Sequence, residues 1–365
     1  MSLIFGILLG VVSIFSKNIF DLVGHEQNVR NLEIIYFKIL MMGSAFSLLH
    51  DTLSSFYSGR GITKPVMLIN LAGVAFNIPL NYILIFGKYG APELGMAGSA
   101  IATIISHSFM TLLYVLLIFR IKNEKCFKII SSCKTFDPSF LKKYLKFGFP
   151  SGIQFFVDLF AFEYVILLIG KLGNLELAAS NMAFSINSII FMPMIGFTIA
   201  VSTLVGQGIG AGALEMAESA VRRALELCSF YMWTISLIIF VLPGPFCDLF
   251  RTPNEPNYEA VKSIAVYLMR FVAIYSIFDT MNVIYSGALK GAGDTSFIGK
   301  TILIASWLIL IIPVTLAVFY FRAGIFVVWS ITSFYFCALA LIFYLRFRSK
   351  RWKNIKLIDK KIYNC

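Results

Sequence analysis

The chain has 365 residues, of which 58% are hydrophobic and 14% charged, whereas a soluble domain carries roughly 45–50% apolar and about 25% charged residues. That balance excludes an ordinary water-soluble globular protein. The net charge of +12 would fit a nucleic-acid binder, but most of the 31 Lys and Arg residues fall in alternate loops, the bias that orients a membrane protein, rather than on one surface.

Apolar blocks of the ~20 residues needed to cross roughly 30 Å of hydrocarbon predict ten helices. They lie near Leu3–Phe20, Ile35–Ser55, Pro65–Phe86, Met96–Phe119, Gly148–Ile169, Leu177–Val205, Ala224–Leu242, Val261–Ala288, Ile298–Phe321 and Ile325–Phe347. The expected fold class is therefore an all-α integral membrane protein whose partner is the lipid bilayer. The layout divides into a four-helix N-terminal lobe at 1–120, a basic linker at 121–146, a six-helix lobe at 147–347 and a basic tail at 348–365. No cleavable leader is expected, because the first block lacks a basic start and a small-residue cleavage site.

One set of alternate segments carries 22 of the 31 basic residues and the other set 7, with Lys38 and Arg270 inside helices. Both termini are therefore expected on the cytoplasmic side of a plasma or inner membrane. The tail RFRSKRWKNIKLIDKK is expected to meet anionic headgroups rather than nucleic acid. Six cysteines (Cys126, Cys133, Cys228, Cys247, Cys337, Cys365) and three histidines (His25, His50, His107) show no metal-ligand spacing, so no cofactor is expected.

The stretch DTLSSFYSG at Asp51–Gly59 recurs as DTMNVIYSG at Asp279–Gly287. Six helices separate the copies, as in transporters whose halves are parallel repeats. Only 50 residues precede Asp51, while about 138 separate Leu141 from Asp279. The shortfall predicts a twelve-helix design lacking its first two helices.

Ionisable groups in hydrocarbon cost several kcal/mol unless they face a cavity or partner, so Asp51, Asp158, Glu163 and Asp279 are the candidates for function. In the eighth helix Tyr275, Asp279, Asn282 and Ser286 fall at i, i+4, i+7 and i+11, a polar stripe on one face. Its oxygens suit Na⁺, and the carboxylate alone suits a proton. The stripe also fits a mere helix–helix bond or a pairing of Asp279 with Arg270. In the fifth helix Gln154 and Asp158 share a face, and Glu163 lies about 140° further round. Phe155, Phe156, Phe160, Phe162 and Tyr164 would wall a cavity that draws hydrophobic cations, or simply face lipid. Asn70, Asn77 and Asn81 form another polar face, as do Asn181, Ser185, Asn187 and Ser188; either set serves transport or helix packing. Asp51, Asn77, Asn81 and Asn187 are held as secondary sites. Asp279 and Asp158 are the candidate Na⁺ ligands. The run GQGIGAG at 206–212 has no preceding strand, so it reads as a helix exit rather than a phosphate loop. No nucleotide partner is expected.

The runs FYSGRGITKP with NLAGVAFNIPLNYILIFG, FGFPSGIQFFVDLFAFEYVILLIGKLGNLELAASN into GQGIGAG, and SGALKGAGDTSF resemble the MATE (multidrug and toxic compound extrusion) family, in the order of its third to twelfth helices. The resemblance implies two lobes around a central cavity, alternating between outward-open and inward-open states as Na⁺ or H⁺ returns. It assigns ion or substrate binding to Asp158, Glu163, Tyr275 and Asp279. Asn81 stands where some branches of the family have an aspartate, which moves the expected coupling to the C-terminal lobe.

Export of organic cations or drugs in exchange for Na⁺ or H⁺ is thus the leading expectation. A lipid-linked oligosaccharide flippase of the same superfamily would need a cationic cavity, and the midmembrane charges are mostly acidic. A shortened, non-transporting membrane protein is a third reading. An enzyme is not expected, since no nucleophile, base and metal constellation occurs at usable spacing.

Overall fold

A computed structural model describes residues 2–23, 27–119, 138–251 and 257–355. His25, Cys126, Cys133, Cys365 and most of the predicted linker and tail lie outside the described residues. Among the described residues ten helices are long and apolar enough to span a bilayer, and no strand occurs.

The first span is built from α1 (Ser2–Val12), a 3₁₀ turn and α2 (Ser16–Val23). It is followed by α3 (Gln27–Gly59), α4 (Thr63–Phe86) and α5 (Gly95–Phe119). The second half runs through α6 (Pro138–Gly170), α7 (Asn174–Gly210), α8 (Leu214–Val241), the short α9 (Pro243–Asp248) and α10 (Tyr258–Gly291). Then α11 (Thr295–Ala305), a π segment (Ser306–Ile311) and α12 (Ile312–Phe319) together make one span, and α13 (Ile325–Arg348) closes the order.

The helices are longer than their apolar blocks. The first turns of α8 carry Glu215, Glu218, Arg222 and Arg223, and α6 begins at Pro138, inside the predicted linker. Charged turns that project beyond the hydrocarbon are helical but give no hydropathy signal. The apolar blocks are therefore shorter than the helices that contain them.

The chain forms two compact units, Met1–Thr135 and Phe136–Cys365. In the N-terminal unit α3 packs on α1 and α5, and α4 packs on α5. In the C-terminal unit α10 is central, packed by α7, α8 and α13, while α6 lies along α11. The pairings of α8, α10, α11–α12 and α13 repeat those of α1, α3, α4 and α5.

Three helix exits share one turn. After α3, Gly61 N–H donates to Ser58 O and Ile62 N–H to Tyr57 O; after α7, Gly212 and Ala213 donate to Ile209 and Gly208; after α10, Gly293 and Asp294 donate to Lys290 and Leu289. Each is a Schellman motif whose αL residue is glycine. The turns place Gly59 opposite Gly291, so the DT…SG match runs four residues, one helical turn, out of step with the structural repeat. The stretch GQGIGAG is such an exit, with α7 continuing to Gly210.

The C-terminal core is closed by Trp329, 1% exposed. Its ring stacks on Phe184 at 4.7 Å and its Nε1 donates to Ser180 Oγ at 3.1 Å. Ser180→Ala strands that buried donor at a cost of about 1–3 kcal/mol. Thermal unfolding in detergent should show a lower midpoint for Ser180→Ala, and an unchanged midpoint would contradict the assignment. At one end of this unit Arg346 Nε donates to Asp294 Oδ2 at 2.7 Å, Lys353 pairs with Glu218, and Trp352 stacks on Phe347 at 5.1 Å. At the other end, hydrogen bonds from Lys262 and Tyr258 hold the Asp248 carboxyl below its ordinary range.

Candidate functional site

The polar stripe of α10 is present and turned inward. Asp279 is 7% exposed and Tyr275 2%. Asn282 Nδ2 donates to Asp279 Oδ1 at 2.7 Å, which fixes the carboxylate plane. The Tyr275 ring stacks on Phe336 of α13, with centroids 4.9 Å apart and planes 17° apart. Ser276 Oγ donates to Asn187 Oδ1 of α7 at 3.4 Å, so Asn187 joins the same neighbourhood.

Close backbone approach makes this possible. Thr198 and Ser202 of α7 press their backbone atoms against Gly287 and Gly291 of α10, where a Cβ at Gly291 would collide with the Ser202 carbonyl. Spaced four apart, Gly287 and Gly291 form the small-residue seam that lets membrane helices pack backbone to backbone.

In α6, Gln154 Nε2 donates to Asp158 Oδ2 at 3.3 Å, and Gln154 is buried. Asp158 acts electrostatically on Asp279 and on Lys290. Tyr335 of α13 lies in the field of both carboxylates and exchanges a hydrogen bond of 2.9 Å with Ser306, the first residue of the π segment. Such π turns are often found at functional sites. Gln154, Asp158, Asn187, Tyr275, Asp279 and Asn282 thus belong to one network. Lys290, Tyr335 and Ser306 join it without having been singled out by sequence. Lys290 lies eleven residues after Asp279, the same spacing that joins Tyr275 to Ser286, so its place on this face was readable.

Glu163 is placed elsewhere. It lies on the exposed face of α6 with Phe156 and Phe160, whose rings stack at 6.2 Å. The five aromatic residues expected to wall one cavity do not share a face. Phe155, Phe156 and Phe160 are exposed, Phe162 packs inward on Phe184 at 4.6 Å, and the Tyr164 hydroxyl meets Thr315 Oγ1 at 3.1 Å. Helical periodicity puts Phe156 and Phe160 roughly 160° round from Asp158, whereas Phe155 and Phe162 lie within about 60° of it.

The N-terminal candidates are separate. Asn77 Nδ2 donates to Ser106 Oγ at 3.2 Å, and Asn81 Nδ2 donates to Asn77 Oδ1 at 2.7 Å. The Asp51 side chain is 71% exposed and bonded to His50, unlike the buried Asp279. Among the described residues no three His, Cys, Asp or Glu side chains cluster as metal ligands.

The chain matches the MatE family model over residues 1–83 and 150–316. A probable multidrug resistance protein NorM of Pasteurella multocida is 31% identical over 306 residues, covering 82% of this chain and 64% of that protein. The multidrug resistance protein NorM of Vibrio cholerae is 30% identical over 284 residues, covering 78% and 61%. The chain therefore spans less than two thirds of the length of these relatives. Among solved structures, a MOP superfamily transporter of Pyrococcus furiosus superposes with a TM-score of 0.84 at 18% identity, covering 97% of this chain and 78% of that one. The eukaryotic MATE transporter AtDTX14 superposes with a TM-score of 0.80 at 23% identity, covering 96% and 77%. The family model covers more than half of the chain and the NorM relative is more than 30% identical over most of it, so the chain belongs to the MATE family.

Proposed function

We propose that the chain works in an antiporter of the cytoplasmic membrane, with both termini cytoplasmic, exporting organic cations or hydrophobic drugs in exchange for Na⁺ or H⁺. The observation that carries this reading is the buried Asp279 carboxylate, fixed by Asn282 and in the field of Asp158. Two carboxylates against one Lys290 leave net negative charge in an apolar surround, which favours a cation over an anion. The names of the relatives, multidrug resistance proteins, support the substrate class.

Coupling arises if the ion and the drug use these carboxylates in exclusive turns, each stabilising a different state of the carrier. Lys290 serves as the resident counter-charge of Asp158 in the interval. Lys290 is also the observation that favours the flippase reading, since a pyrophosphate cargo needs cations.

Purified protein in proteoliposomes decides between them. Under an imposed Na⁺ or H⁺ gradient a cationic dye should move against the ion, and the gradient that drives it names the coupling ion. Lack of dye movement under both gradients would overturn the antiporter. Movement of an anionic lipid-linked sugar instead would establish the flippase.

A further inference from the structure

A second cluster of ionisable side chains lies in the N-terminal unit, outside the carboxylate network. His50 of α3 is buried. Its Nδ1 lies 3.1 Å from Asp51 Oδ1 and its Nε2 lies 3.0 Å from Asn70 Oδ1 of α4. An ionised carboxylate and a carboxamide oxygen both accept, and imidazole donates from both nitrogens only as imidazolium. The geometry therefore suits a charged ring.

Around that ring three polar atoms are buried without a hydrogen-bond partner: His107 Nδ1, Tyr57 Oη and Tyr114 Oη. The His107 ring of α5 stands edge to face with His50, centroids 5.4 Å apart. Tyr114 lies 5.6 Å from His50 and Tyr57 lies 5.8 Å from Tyr114. Orphaned polar atoms of this kind, carried on rings packed each within 6 Å of the next, mark a place for bound water. Two imidazoles so close cannot both be charged without strong repulsion, so the pair holds one proton.

The ionisable surroundings are few. On α3 they are Asp51 and Tyr57, with Arg60 acting on Tyr57. On α5 they are His107 and Tyr114. The sequence of α1 has no ionisable side chain. On α4 the facing group is Asn70, with Lys64 and Tyr82 six and twelve residues away along the helix.

We propose that His50 and His107 form a one-proton binding site within the N-terminal unit, its proton held by the Asp51–His50–Asn70 bridge, reached through the exposed Asp51 carboxylate, and relayed by water between the rings and the two tyrosines. The site is independent of the Asp158–Asp279 network. It makes this unit responsive to pH whichever ion drives the other.

The test is ¹⁵N NMR of ring-labelled histidine in the full chain in nanodiscs, where three histidines give three rings assignable by single substitutions. At neutral pH His50 should show two protonated nitrogens and His107 one. Asp51→Asn should convert His50 to a singly protonated ring. His50→Gln should let His107 take a second proton at a pH where the unaltered protein has one. A neutral His50 throughout about pH 5–8, the range of ordinary imidazole titration, or independent titration of the two rings, would overturn the proposal. The unaltered protein alone gives the first of these readings, so it does not depend on a variant folding. Asp279→Asn should leave all three rings unchanged, which separates failure of this site from failure of the coupling carboxylates.

Discussion

Asp279→Asn is expected to reduce dye efflux from a pump-deficient host to the level of the empty host. The substitution keeps side-chain volume and lets Asn282 go on donating to an oxygen at the same place, so the α10 stripe and the Tyr275–Phe336 stack have no reason to move. It removes only the charge. Truncating one partner of a buried charge interaction costs about 2–5 kcal/mol, and each 1.4 kcal/mol is about tenfold in affinity. Cation binding at the stripe should therefore weaken about thirtyfold or more, and the exchange between ion and drug should fail with it. Membrane levels of the variant must match the unaltered protein. Given that, undiminished efflux would remove Asp279 from the coupling role and leave it as a helix-packing group.

The stripe was legible because its information is local. Tyr275, Asp279, Asn282 and Ser286 sit on one helix, and so do Gln154 and Asp158, so the helical repeat alone aligns them. Lys290 obeys the same repeat but was hidden by its company. Its basic charge beside Gly291 and Gly293 placed it with the loop residues that orient the chain, whereas α10 continues through it to Gly291.

Ser306 and Tyr335 had no such signal. They lie 29 residues apart on different helices, and the π segment shifts the register of its span by an amount no hydrophobic pattern encodes. The same is true of His50 and His107, brought together only by the packing of α3 on α5. The five aromatic residues of α6 divide for the opposite reason: they are neighbours in sequence, and a helix sends neighbours in different directions.

The structural repeat adds a comparison that sequence matching had blurred. With Gly59, Gly210 and Gly291 each two residues before an αL glycine, the three helix exits are equivalent in backbone but differ in surroundings. A Cβ on Gly210 would meet nothing within 4 Å, whereas one on Gly291 would collide with the Ser202 carbonyl. Backbone cannot step aside as a flexible side chain can, so even Gly291→Ala forces α7 and α10 apart, and overpacking of this kind costs about 1–3 kcal/mol. Gly291→Val adds two methyl groups to the same collision. It is expected to yield no monodisperse folded protein in detergent, with Gly291→Ala folded but melting well below the unaltered chain. Gly210→Ala should hold its midpoint or gain up to about 1 kcal/mol, since alanine restricts the unfolded chain at no steric cost. A Gly291→Val protein that melts with the unaltered one would show that the α7–α10 seam is not set by backbone contact. The bond from Ser276 to Asn187, between the same two helices, would then be held without that seam.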